Sequence, residues 1–139
     1  MILAQVYKNL ETRIGLLKIY PGIPFKNYEF LFNVNRFKGI VLETFGAGNA
    51  PNNPDMIDLI TNYIEAGGII LNVTQCSSGS VRQGQYQTSS FFEKIGVLSG
   101  KDMTTEAALA KMMFVLGNYS SKEERINKLT INLVGELTA

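Results

Sequence analysis

The chain alternates between short apolar runs and amphipathic stretches separated by glycine-rich or proline-rich breaks. Ile40, Val41 and Leu42 form a branched apolar run, the mark of a strand covered on both faces. The run breaks at Gly46-Ala47-Gly48-Asn49-Ala50-Pro51, and a helix start follows, with Asn53 as N-cap and Pro54 at the first helical position. Met56, Ile57, Ile60, Tyr63 and Ile64 then place a helical stripe over Asp55 to Ala66, which Gly67-Gly68 ends. Ile69 to Val73 predicts another buried strand, opening into the polar stretch Thr74-Gln75-Cys76-Ser77-Ser78-Gly79-Ser80.

The flanks repeat this alternation. Arg13 to Tyr20 is expected to be a strand, and Pro21 to Pro24 a turn. Phe25 to Asn33 reads as helical, with Tyr28, Leu31 and Phe32 on one face. Val81 to Tyr86 is expected to be a short edge strand, and Ser89 to Ile95 a short helix closed by Gly96. A longer helix, capped by Thr104 or Asp102 with Glu106 near its start, is predicted to run through Leu116 and stop at Gly117-Asn118. Ser121 and Glu124 match a capping box, and the last helix is expected to bury Ile126, Leu129 and Leu133 and end near Gly135. The order β-α-β-α-β followed by helices implies an α/β domain. Its expected form is a small parallel sheet of about four strands with helices on both faces, a Rossmann-like three-layer sandwich.

Composition narrows the function classes. The 139 residues suit a single domain, and 45% hydrophobic with 18% charged is ordinary for a globular protein. A net charge of +1 without a basic run disfavours nucleic-acid binding, and no apolar run approaches the ~20 residues that span a bilayer. One cysteine and no histidine exclude an internal disulfide, the usual Ser-His and Cys-His nucleophile pairs and an ordinary zinc site. No metal and no cofactor is expected.

In open α/β sheets, ligands sit beyond the carboxyl ends of the strands, which directs attention to two loops. Gly46-Ala47-Gly48-Asn49 would let backbone approach a ligand and offers an amide that donates and accepts. The same residues also make a tight turn, and Pro51 stands where a dinucleotide fingerprint needs its third glycine. Thr74 to Ser80 offers hydroxyls and an amide for a small polar ligand, or forms a solvated turn. Cys76 has no basic neighbour in sequence and reads as a buried structural thiol. Glu43, ending an apolar strand, is expected to be solvated or paired with Arg82 or Lys18. No complete catalytic constellation appears.

LETFGAGNAP (Leu42 to Pro51), NVTQCSSGSV (Asn72 to Val81) and GKDMTTEAALAKM (Gly100 to Met112) resemble the carboxyl-terminal domain of bacterial type I, cytoplasmic L-asparaginases. LLKIYPG (Leu16 to Gly22) and NLVGELT (Asn132 to Thr138) resemble it too, so the likeness runs from about Ile14 to the end. The resemblance implies one domain, residues 1–139, of a two-domain cytoplasmic homo-oligomer (dimer or tetramer) that hydrolyses L-asparagine to L-aspartate and ammonia. The family's threonine nucleophile sits in a TGGT-type loop of a larger amino-terminal domain that this sequence lacks, so no catalytic residue is expected here and the isolated chain is expected to be inactive. By matched position, Asn49 and Tyr86 would reach a neighbouring subunit's substrate. Some members bind a second, regulatory asparagine near the segment of Thr74 and Cys76; Glu43 stands where those members carry arginine, which reverses the charge offered to a carboxylate. The alternative reading is a stand-alone module that binds an amino acid.

Overall fold

Strands β1 (Ile14–Lys18), β2 (Gly39–Thr44), β3 (Ile69–Thr74) and β4 (Leu98–Ser99) form one parallel sheet in the order β1-β2-β3-β4. This is a computed structural model, and it describes residues 6–46, 50–76, 80–81 and 87–138, with no side chains for 87–90. Each strand lies beside the one before it in the chain. The segments between strands, a 3-10 helix (Phe25–Phe32), α1 (Pro54–Glu65) and α2 (Gln87–Ile95), feed one core layer, with Phe25, Leu31, Met56, Ile60, Tyr63 and Phe92 packed on Leu17, Ile40, Leu42 and Ile70. The alternate residues Val41, Ile69, Leu71 and Val73 face the other way, against Met112, Val115 and Leu129 of α3 (Thr105–Asn118) and α4 (Lys122–Thr130). Both faces of β2 and β3 are therefore covered, which explains their unbroken apolar character.

Helix boundaries follow local chemistry. Asn53 accepts from the N–H groups of Asp55 and Met56 ahead of Pro54, Thr104 from Ala107, and Ser121 from Glu124. The end of α1 is a Schellman motif. Gly67 (φ +102°) donates to Ile64 O at 3.0 Å, and Gly68 donates to Tyr63 O at 2.9 Å. Gly96 (φ +95°) closes α2 in the same way, as expected.

Two expectations need correction and two are refined. The segment 25–32 is helical as expected, and it is a 3-10 helix, in which Phe25, Tyr28 and Leu31 recur every third residue, matching a three-residue turn. The fourth strand is Leu98–Ser99, too short to show alternation; of the segment expected to supply it, residues 82–86 lie outside the described residues. Val81 itself is coil, held by N–H donation to Lys101 O at 2.8 Å and by Ser99 Oγ, which donates to Val81 O at 3.1 Å. Helix α3 ends at Asn118, where Gly117-Asn118 was expected to end it, and Gly117 is also a contact point: a Cβ there would lie 2.8 Å from Asn9 O and 2.9 Å from Glu11 N. Helix α4 stops at Thr130, well before Gly135, and buries only Leu129.

The bend after α4 is built on Glu136. Its carboxylate accepts from Leu133 N and Val134 N, each at 2.8 Å, and pairs with Lys111 Nζ at 2.6 Å, with side-chain exposures of only 3% for Lys111 and 9% for Glu136. Lys111 Nζ also donates to Ile131 O at 2.5 Å. Burial alone would raise the carboxyl pKa, but the lysine and the two N–H groups overcome it and hold it at about 2 against an ordinary 4.5. A depressed folded-state pKa contributes stability that is complete above the ordinary glutamate range and is lost as pH falls toward 2. The full shift would be worth ~3 kcal/mol, and solvent screening lowers this to about 2 kcal/mol. Unfolding measured at about pH 5 and about pH 2.5 should therefore show the wild type losing about 2 kcal/mol more than Glu136→Gln; equal losses would remove Glu136 from the acid response.

Candidate functional site

The carboxyl ends of β1, β2 and β3 are joined by side chains from the segment after β3. Gln75 donates from its backbone N–H to Thr44 O at 2.9 Å, and from Nε2 to Ile19 O at 2.5 Å and Glu43 O at 2.9 Å. One amide thus spans the ends of β1 and β2 from a segment rooted in β3. Thr74 Oγ1 donates to Gly46 O at 2.6 Å and accepts from Cys76 N at 3.0 Å. The two loops singled out from sequence therefore share a rim, with their roots bonded to each other.

Beneath the rim lies a buried polar pair. Thr44 Oγ1 donates to Asn72 Oδ1 at 2.6 Å, with Val73 O 3.3 Å from the same hydroxyl, and both side chains are shielded from water. Inside a low-dielectric core such bonds fix strand register more firmly than apolar contacts do. Asn72 O also accepts from Gly100 N at 2.7 Å, linking β3 to the turn ahead of α3. The pair was not singled out from the sequence, and the Gln75 amide, expected to face a ligand, instead bonds the strand ends. The signal was an asparagine inside the otherwise apolar Ile69–Thr74 run, since a polar group that deep requires partners.

The predicted site residues are distributed as follows. Glu43 is half-buried, and its Oε1 accepts from Thr105 Oγ1 at the first turn of α3. Lys18 is its register neighbour on β1, yet no ion pair joins them among the described residues, and Arg82 lies outside those residues. Because β2 pleats, Glu43 shares a face with Val73, whereas Thr74, paired with Thr44, belongs to the opposite face. Glu43 and Thr74 thus stand at one rim but on different sides of the sheet. Cys76 corrects an expectation: it is an exposed free thiol at the rim, placed there by the turn that Thr74 caps. Asn49 and Tyr86 lie outside the described residues.

What the arrangement offers chemically is a wall of hydroxyl, amide and backbone groups suited to neutral or zwitterionic polar ligands. Among the described residues no three of His, Cys, Asp and Glu cluster as metal ligands, and no helix is long and apolar enough to cross a membrane.

Comparison with known proteins places this geometry. A profile described as the glutaminase/asparaginase C-terminal domain matches residues 13–129. The chain is 42% identical over 96% of its length to the human 60 kDa lysophospholipase, of which it spans 23%. It is 36% identical over 90% of its length to L-asparaginase 1 of Escherichia coli K12, of which it spans 37%. The crystal structure of L-asparaginase I from Vibrio cholerae superposes with a TM-score of 0.89 at 38% identity, covering 97% of this chain and 40% of that one. The chain therefore spans well under half the length of these relatives.

Proposed function

The chain belongs to the glutaminase/asparaginase C-terminal domain family, and on that premise we propose that it completes the active site of an L-asparaginase. The reaction is hydrolysis of L-asparagine to L-aspartate and ammonia in the cytoplasm, by a homo-oligomeric enzyme. In this reading the threonine nucleophile comes from an amino-terminal domain, and this domain contributes the polar wall of a neighbouring subunit's pocket. Asn49 and Tyr86 meet the amino-acid end of the substrate. The observation that carries the proposal is the rim itself: Gln75 and Thr74 tie the ends of three strands into one fixed edge and root the loop that leads to Asn49. A wall held by hydrogen bonds positions substrate without reorganisation at the moment of reaction.

A second, regulatory asparagine at Glu43, Thr74 and Cys76 has weaker support. The Glu43 carboxylate is engaged by Thr105, and a nearby anion repels a ligand carboxylate.

A chimera tests the proposal. Residues 13–139 replace the equivalent segment of the Escherichia coli L-asparaginase 1, and ammonia release from L-asparagine is followed. Turnover is expected from the chimera and none from the 139-residue chain alone. Asn49→Ala in the chimera should lower kcat/KM by roughly 10–100-fold, the worth of one hydrogen bond to a charged or polar substrate group. Sustained turnover by the isolated chain would overturn the division of roles. Tight calorimetric binding of L-asparagine to that chain would instead favour a stand-alone binding module.

A further inference from the structure

The middle of α3, Ala107 through Leu116, carries apolar side chains on two sides, although the sheet covers only one. Ala108, Met112 and Val115 pack on β2 and β3, while Ala107, Ala110, Lys111 and Phe114 form a second stripe at i, i+3, i+4 and i+7 on the outer side. That outer stripe is the floor of a groove of about 620 Å³, within the size range of small-molecule sites. Tyr7 and Tyr119 line it side by side, and Leu133 and Val134 supply another part of its wall. The wall is firmly built, because the Glu136 carboxylate holds both Leu133 N and Val134 N. Val134 is nonetheless 91% exposed, an apolar side chain with nothing over it.

Charge then selects among apolar occupants. Three charged residues line the groove. Lys111 and Glu136 neutralise each other at 2.6 Å. Lys128 makes no ion pair among the described residues and lies 5.5 Å from the centre of the Tyr119 ring. Beside it, the hydroxyls of Tyr7 and Tyr119 are 3.3 Å apart, so one donates to the other and the second keeps a proton to give. This part of the groove thus gathers an uncompensated ammonium and a free O–H, the donors that the two oxygens of a carboxylate require.

We propose that this groove binds an amphipathic monocarboxylate, an aliphatic acid whose head meets Lys128 and the tyrosine pair and whose tail lies along α3 between Ala110 and Leu133. The small side chains of Ala107 and Ala110 give the depth the tail occupies, and the buried Lys111–Glu136 pair beneath contributes no net charge to repel it.

Calorimetry with decanoate, below its micelle threshold, tests the inference, with 1-decanol and decylamine as the neutral and cationic counterparts. Saturable 1:1 binding is expected for decanoate, weaker binding for 1-decanol and none for decylamine. Lys128→Met, which keeps the apolar stem, should weaken decanoate roughly 10–100-fold while leaving 1-decanol unchanged. Ala110→Trp, on the exposed side of α3, should fill the groove and abolish both. Thermal melts confirm that each variant is folded before it is scored. Equal affinity for the acid, the alcohol and the amine would overturn the proposal. So would binding untouched by Ala110→Trp, or a sedimentation profile in which a second copy of the chain covers the groove.

Discussion

Lys111→Met is expected to lower the unfolding free energy by about 3–5 kcal/mol, a large share of what a domain of this size possesses. The reason is asymmetric. Methionine replaces the stem of the lysine almost without loss of packing, but the Glu136 carboxylate remains in place, nearly shielded from water and with its cation removed. Ile131 O loses its donor at the same time. The carboxylate must then stay charged without a counter-ion or take up a proton, and either course removes the force that shapes the 131–137 bend. The double variant Lys111→Met/Glu136→Gln should recover most of the loss, because a neutral amide oxygen can still accept from Leu133 or Val134 N–H. Urea unfolding at neutral pH decides the matter: a midpoint shift at constant slope for the single variant, largely reversed in the double. A single-variant loss under about 1 kcal/mol would show that water already reaches the pair, as at exposed ion pairs.

Gly68→Ala is the second large effect, at about 2–4 kcal/mol. A Cβ on Gly68 would come within 2.2 Å of the Tyr63 ring, five residues back at the end of α1. The ring cannot swing aside. It is buried, it meets Phe32 edge-on, and its hydroxyl donates to Phe37 O at 2.7 Å. Burial also pushes the phenol pKa up, so it stays a donor across the working pH range. The alanine therefore costs either that hydrogen bond or the Schellman geometry at Gly67 and Gly68. In a Tyr63→Leu background the same substitution should be cheaper by at least ~1 kcal/mol, a coupling that a double-mutant cycle measures. Independent, additive losses would mean the backbone and not the ring sets the limit.

Much of this architecture could be read before any coordinates. Ile40 to Leu42 and Ile69 to Val73 behave as buried strands because both sheet faces are covered, and a two-sided cover leaves the plainest signature a strand can have. Asn53-Pro54 and Gly67 bracket α1 through local hydrogen bonds, which need no knowledge of the rest of the chain. What failed to show was set by distant contact. Gly117 does stand at the end of α3, but its second role was hidden: its missing side chain makes room for backbone at Asn9 and Glu11. Glu43 finds its partner at Thr105, on an element far downstream, where a nearby basic residue was the natural expectation. Cys76 is exposed because Thr74 caps the turn that presents it, and burial statistics for cysteine carry no information about that turn. At the candidate site, the importance of a shared strand-end rim was legible. The agent that holds it together, the side chain of Gln75, was not, since a glutamine in a polar loop ordinarily faces water.

The sequential arrangement of the four strands has a consequence for how the protein is made. Each strand pairs with its immediate predecessor in the chain, so the sheet can grow strand by strand as the chain leaves the ribosome. The two sides are finished at different times, however. The layer under α1 and α2 can close as soon as β4 has emerged, whereas Val41, Ile69, Leu71 and Val73 wait for α3 and α4, which follow all four strands in the chain. Until Leu129 is in place the nascent chain presents a bare greasy plane, and translation speed through α3 and α4 sets how long it stays uncovered.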